Sequence, residues 1–215
     1  MMKQVNMNQG PHEILAGDII AFGGENNVSS MIKVATDSVV SHVAVVVETP
    51  EGYGFSEEDT VFMEANFTKK KVRFSTLREK FEAFSGNIWH LPLKTSLHAN
   101  TTKNDNLHAF LAEQLHKPYD TIQALNSAAD YLDSFPFSQN GMTYNEEDFE
   151  KVFCSELVAG ALEAGNIIGS INASEITPID ICKWDIFKPE YFQLQGENAI
   201  SIIGYNSVSY KESAV

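Results

Sequence analysis

Residues Val152 to Val158 read VFCSELV, and the reading of the cysteine in that stretch decides the reading of the chain. Cysteine is a small hydrophobe that often packs in cores, so Cys154 between Phe153 and Leu157 can be filler. Downstream, Leu157, Val158, Ala161 and Leu162 recur at helical spacing, and Gly165 is placed to end the pattern. The spacing therefore predicts a helix with Cys154 in its first turn. There the unpaired backbone N–H groups and the positive end of the peptide dipoles stabilise a thiolate. The same N–H groups can hold the oxyanion of a tetrahedral intermediate. Local sequence fits both a packed thiol and a nucleophile, and a base elsewhere in the chain has to separate them.

Of six histidines, only one opens a strongly apolar strand. SHVAVVVE, Ser41 to Glu48, is a β-branched run of strand length closed by the turn residues Pro50 to Gly54, and it carries His42. A titratable ring in such a strand is either satisfied by hydrogen bonds or functional. His12 falls in a polar leader, His98 in a predicted loop, and His108 and His116 on the outer half of an amphipathic helix. His90 alternates with Trp89 in a strand and fits core or surface. An imidazole acting as a base needs a group to fix its tautomer. Glu64 in VFMEANF, Val61 to Phe67, sits in the run expected to pair with the His42 strand. Alternation alone also allows Glu64 to face outward.

Around these pieces, Gly17-Asp18 lead into a short buried strand, Ile19 to Phe22, ended by Gly23-Gly24. Ser29 and Ser30 are candidate caps of a helix through Met31, Ile32 and Val34. Val72 with Phe74, Asn87 to Leu93, and Ala199 to Gly204 read as further strands. Leu107, Phe110, Leu111 and Leu115 mark a helix stopped by Lys117-Pro118, and Thr121 to Leu132 marks another. A polar loop, Ser134 to Asp148, precedes the cysteine, and Pro178 reads as fixing a loop. No linker divides the chain, so one α+β domain is expected over 1–215, with polar tails at about 1–13 and 207–215.

Composition narrows the function. Fifteen Lys and Arg against twenty-nine Asp and Glu give a net charge of −14, which disfavours a phosphate-tracking surface, so no nucleic acid partner is expected. No apolar run approaches the roughly 18 to 20 residues of a membrane-spanning helix, and the first dozen residues lack a secretory pattern. A soluble cytoplasmic protein without a membrane partner is the expectation. Two cysteines are too few for a disulfide framework, and neither CxxC nor HExxH spacing is present, so no metal or other cofactor is expected. Cys182 in IDICKWD reads as packing.

Taken as a set, AGDIIAF (Ala16 to Phe22), ATDSVVSHVAVVVE (Ala35 to Glu48), FMEA (Phe62 to Ala65), KPYD (Lys117 to Asp120), FCSELVAGALEAG (Phe153 to Gly165) and ITPIDI (Ile176 to Ile181) resemble the permuted papain-like cysteine hydrolases of the NlpC superfamily, in the YiiX/YebB-like branch. The resemblance covers nearly the whole chain in order. It implies a papain-like α+β fold, with an antiparallel sheet or barrel packed against helices. It also implies Cys154 as nucleophile, His42 as general base and acid, Glu64 as the residue orienting His42, and Tyr119 lining the site. The implied activity is that of a cysteine peptidase or amidase acting on a small peptide or amide substrate, several relatives working on cell-wall type peptides. The departures are the loop Ser134 to Asp148 and the polar insert Thr49 to Thr60, and they leave the substrate open. The acidic run Glu146-Glu147-Asp148 would attract a substrate amine, at the cost of opposing the thiolate.

Two other classes fit the same residues. A catalytically silent domain would use the groove for a ligand, and a lipid-active acyltransferase would share the permuted order. The second needs an apolar channel or anchor, and no basic amphipathic segment provides one.

Overall fold

The computed structural model describes residues 2–4, 13–101, 105–119 and 152–209. Its centre is a seven-stranded sheet built from β1 (Met2–Gln4), β2 (Ile19–Gly24), β3 (His42–Val46), β4 (Val61–Asn66), β5 (Lys71–Thr76), β6 (Gly86–Leu91) and β7 (Tyr191–Gln195). The spatial order is β1-β7-β6-β2-β3-β4-β5, antiparallel at every pairing except the parallel edge strand β1 on β7. It is an open sheet and not a barrel.

Period-two alternation gives the sheet two apolar faces. Ile19, Ala21, Val43, Val45, Met63 and Ala65 point to one side, where they meet Leu157, Val158 and Leu162 of α5 (Cys154–Ala164). These three helix residues are fully buried, and each contributes on the order of 1.5–3 kcal/mol by leaving water. Leu107 and Leu111 of α4 (Asp105–Gln114) extend that cluster, as do Ile179, Ile181 and Cys182 of α6 (Pro178–Lys183). Gly160 lets α4 approach α5, since a Cβ there would lie 2.6 Å from the Phe110 ring. On the opposite face, Ile20, Phe22, Ala44, Phe62 and Ile88 are covered by Leu77, with Phe81 and Phe84 packed alongside, from α2 (Leu77–Ala83) and its C-cap.

Several local expectations change. Gly23 and Gly24 form the last two residues of β2, paired with Asn87 and Gly86, and Cβ atoms there would lie 2.5 Å from Val39 O and Ser29 Oγ. The cap of α1 (Asn27–Ala35) is Asn26, whose Oδ1 accepts from Ser29 N–H, and not a serine. Pro178 opens α6 at a position where its missing N–H costs nothing. The segment 199–204 is not a strand, since side chains satisfy its backbone: Ile200 N–H donates to Gln193 Oε1, and Ile202 N–H to the Tyr191 hydroxyl. His98 lies in α3 (Thr95–Thr101), not in a loop. The insert 49–60 is anchored by Tyr53 and Phe55, whose rings stand edge-on to Phe74. The helix expected at 121–132, the loop at 134–148 and its acidic run lie outside the described residues.

Asp18 is buried at the far end of the second face. Its carboxylate accepts N–H bonds from Leu15 (3.0 Å) and Leu93 (2.8 Å), His90 Nε2 stands at 2.7 Å, and His98 Nε2 at 2.9 Å. Burial works against its charge, but the bonds to His90 and then His98 hold the carboxyl well below the usual carboxylate range. His90 is thus a satisfied core histidine, stacked on Phe192. Asp18→Asn is expected to cost about 3–5 kcal/mol of stability at neutral pH, read as a lower urea midpoint. Because the folded carboxyl titrates below the unfolded one, that difference is full above about pH 4 and shrinks as the pH falls further.

Candidate active site

The helix α5 begins at Cys154 with Phe153 as its N-cap. Phenylalanine carries no oxygen, so only one half of a capping box forms: Glu156 Oε2 accepts from Phe153 N–H at 3.3 Å. No side chain caps the first-turn amides. The amides of Ser155 and of Val43 in β3 both hydrogen-bond the Cys154 sulfur. Helix start and strand start therefore meet at one atom.

His42 is the first residue of β3, paired with Phe22, with its ring 5.3 Å from the Phe22 ring. Its Nε2 donates to Glu64 Oε2 at 2.9 Å, and its side chain is 20% exposed. With Nε2 engaged by the carboxylate, Nδ1 is the nitrogen left for Cys154, which hydrogen-bonds the ring. Sequence alternation left the direction of Glu64 open. It points inward and is fully buried, on the face shared with Phe62 and Ala44.

Titration follows from these contacts. Burial opposes a charge on His42, but the Cys154 thiolate, and then Glu64, outweigh it and raise the imidazolium pKa to about 9. Burial likewise opposes the Cys154 thiolate, and the His42 charge and hydrogen bond, with the Val43 and Ser155 amides, bring the thiol below its ordinary value. Burial also opposes ionisation of Glu64, yet His42 and Lys80 hold it well below the usual range. The contacts thus favour charge on all three groups, a thiolate, an imidazolium and a carboxylate in a row.

Comparison with known proteins gives a partial likeness in structure. No family model matches the chain, and no curated protein does. Among solved structures, the chain is similar to the crystal structure of metalloprotein yiiX from Escherichia coli O157:H7, DUF1105. The TM-score is 0.44 and the identity 20%, over 70% of this chain and 65% of that one, so the match spans just under two thirds of the neighbour's length. Among the described residues, no group of three His, Cys, Asp or Glu side chains is arranged to hold a metal ion.

Tyr119 joins the neighbourhood through the backbone. It forms a parallel bridge with Val152, two residues before Cys154, and its ring stands edge-on to Phe67. Cys182 lies elsewhere, fully buried, with Sγ donating to Pro178 O, and burial and then Asp180 push its thiol far up. Sequence reasoning missed three partners of Glu64: Asn66 Nδ2 (2.8 Å), Ser75 Oγ (2.6 Å) and Lys80 Nζ (2.8 Å). Asn66 was within reach of it, because residues two apart share a strand face. No helix among the described residues is long and apolar enough to cross a membrane.

Proposed function

We propose that this chain is a papain-like cysteine hydrolase that cleaves an amide bond in a small peptide or amino-acid-containing substrate through an acyl-thioester. The observation that carries this reading is the unbroken contact series Cys154, His42, Glu64 at the meeting of a helix start and a strand start. The thiolate attacks the substrate carbonyl carbon, forming a C–S bond and an oxyanion that the Cys154 amide can receive. As the C–N bond breaks, the imidazolium gives its proton to the departing nitrogen. Water then adds to the thioester with His42 taking its proton, and the thiolate leaves with the electron pair of the C–S bond. Glu64 keeps Nε2 protonated throughout, so that Nδ1 is the nitrogen that exchanges protons. Tyr119 lines the approach, and a cell-wall type peptide is one candidate within this substrate class.

Iodoacetamide labelling located by mass spectrometry tests the reading without a substrate. At about pH 6, Cys154 is expected to react on the order of a hundredfold faster than an ordinary thiol, with Cys182 unlabelled in the folded chain. His42→Ala removes the advantage. A Cys154 that reacts as an ordinary thiol, indifferent to His42, would sink the proposal.

A further inference from the structure

Glu64 receives more bonds than orienting His42 requires. Oε1 accepts from Asn66 and Ser75, Oε2 accepts from His42, and the Lys80 ammonium docks on the carboxylate at 2.8 Å. Lys80 comes from α2, an element on the face of the sheet opposite the cysteine helix. Its Nζ lies 5.3 Å from the centre of the Phe22 ring and 5.8 Å from that of Phe62, and its side chain is only 14% exposed. A lysine on a mostly charged helix normally extends into water, so an ammonium held between two rings and a buried carboxylate is a built contact.

We propose that Lys80 is a positioning residue for the Cys154–His42–Glu64 set: its ammonium fixes the Glu64 carboxylate on His42 Nε2 and offsets part of its charge, so that the imidazolium can release its proton to the leaving nitrogen. The proposal rests on the hydrolase reading. A bare carboxylate at 2.9 Å from Nε2, with a thiolate at Nδ1, would hold the ring cation between two anions and so retain the Nδ1 proton. General acid catalysis needs the proton to leave, and a cation on the far side of the carboxylate weakens the hold without removing the orientation. The other charges near this corner do not take over the role. Arg73, the cross-strand partner of Glu64, is engaged by Glu79 of α2 through two bonds of 2.9 Å. On α5, Glu156 turns back to its own helix start, where Oε2 accepts from Phe153 N–H.

Lys80→Met keeps the length and apolar contacts of the stem and deletes the charge. The readout is the pH titration of the His42 ring proton by NMR, followed with the ultraviolet absorbance of the thiolate, and neither needs a substrate. The wild-type midpoint is expected at about 9. Without the cation the anions on both sides hold the imidazolium more tightly, so the midpoint rises by about one unit, and Lys80→Arg returns it to the wild-type position. Where a substrate is in hand, kcat in Lys80→Met falls about tenfold, with the alkaline limb of its pH profile displaced upward. Lys80→Gln retains an N–H donor for Glu64 and gives the same upward shift if the methionine variant does not fold. A midpoint that stays put in both variants overturns the proposal and leaves Lys80 as packing. A midpoint that moves in a chain that cleaves no amide supports the charge role of Lys80 and instead counts against the hydrolase.

Discussion

Cys154→Ala is expected to lower kcat for amide hydrolysis by on the order of 10⁵, to the level left by binding and oxyanion contacts alone. Release of amine from a panel of fluorogenic aminoacyl and dipeptidyl amides measures it, with protein concentration corrected by folded fraction. Cys154→Ser separates nucleophile from geometry. The hydroxyl keeps the position at the helix start, but His42 and two backbone amides that suffice to ionise a thiol do not ionise an alcohol, so serine is expected to fare little better than alanine. Cys182→Ala is the matched control. It removes a thiol that is buried on the α6 side and takes no part in the contact series, so it is expected to cost about 1 kcal/mol of stability and to leave kcat unchanged. If Cys154→Ala retained turnover comparable to Cys182→Ala, the assignment of the nucleophile would be wrong.

The parts of this site that sequence makes legible are those whose residue types conflict with their surroundings. His42 stands out because a titratable ring opens an apolar β-branched strand, and Glu64 because a carboxylate interrupts VFMEANF. The register of β3 on β4, with Val45 opposite Met63, then brings the two onto one face, as expected from an antiparallel pair. Cys154 is placed by the 3.6 period that follows it, and α5 begins there. What was not legible depends on contacts between distant segments. Helix α2, LREKFEA, has only two large apolar residues and reads as solvated, though Thr76 followed by Glu79 was an available start signal, and Thr76 Oγ1 does accept from Glu79 N–H. Nothing local shows that Lys80 reaches across to Glu64. Strand β7, YFQLQ, hides its burial behind glutamines, and the Gln193 side chain is satisfied by Asn87, Gln195, Asn198 and Ile200. Asp18 with His90 and His98 joins residues more than seventy positions apart. In each case tertiary contact overrides a pattern that local composition assigns to solvent or to a loop.

Glu64→Gln carries the second large effect, and the neighbours of the carboxylate decide its sign on each readout. The amide still accepts from His42 Nε2 through its oxygen, so orientation is weakened and charge is lost. A fall in kcat/KM of about 10²- to 10⁴-fold is expected, the range in which removing the group that orients a catalytic imidazole acts. The His42 titration should move down from about 9, because one of the two anions supporting the imidazolium is gone. It should not fall the whole way to the ordinary value of about 6.5, since the Cys154 thiolate contributes more than Glu64 does. Stability responds through Lys80, which is left beside a neutral amide with most of its side chain buried, at a cost of about 3–5 kcal/mol. Adding Lys80→Met to Glu64→Gln removes that stranded cation, so the double variant is expected to be more stable than Glu64→Gln alone. Its His42 midpoint should lie close to that of Glu64→Gln, because the lysine charge acts on the ring chiefly through the carboxylate it touches. Thermal unfolding and the NMR titration on the four proteins of this cycle give the coupling directly. Additive effects on both readouts would mean that Glu64 and Lys80 act on His42 independently, and would separate the orienting carboxylate from the cation assigned to it.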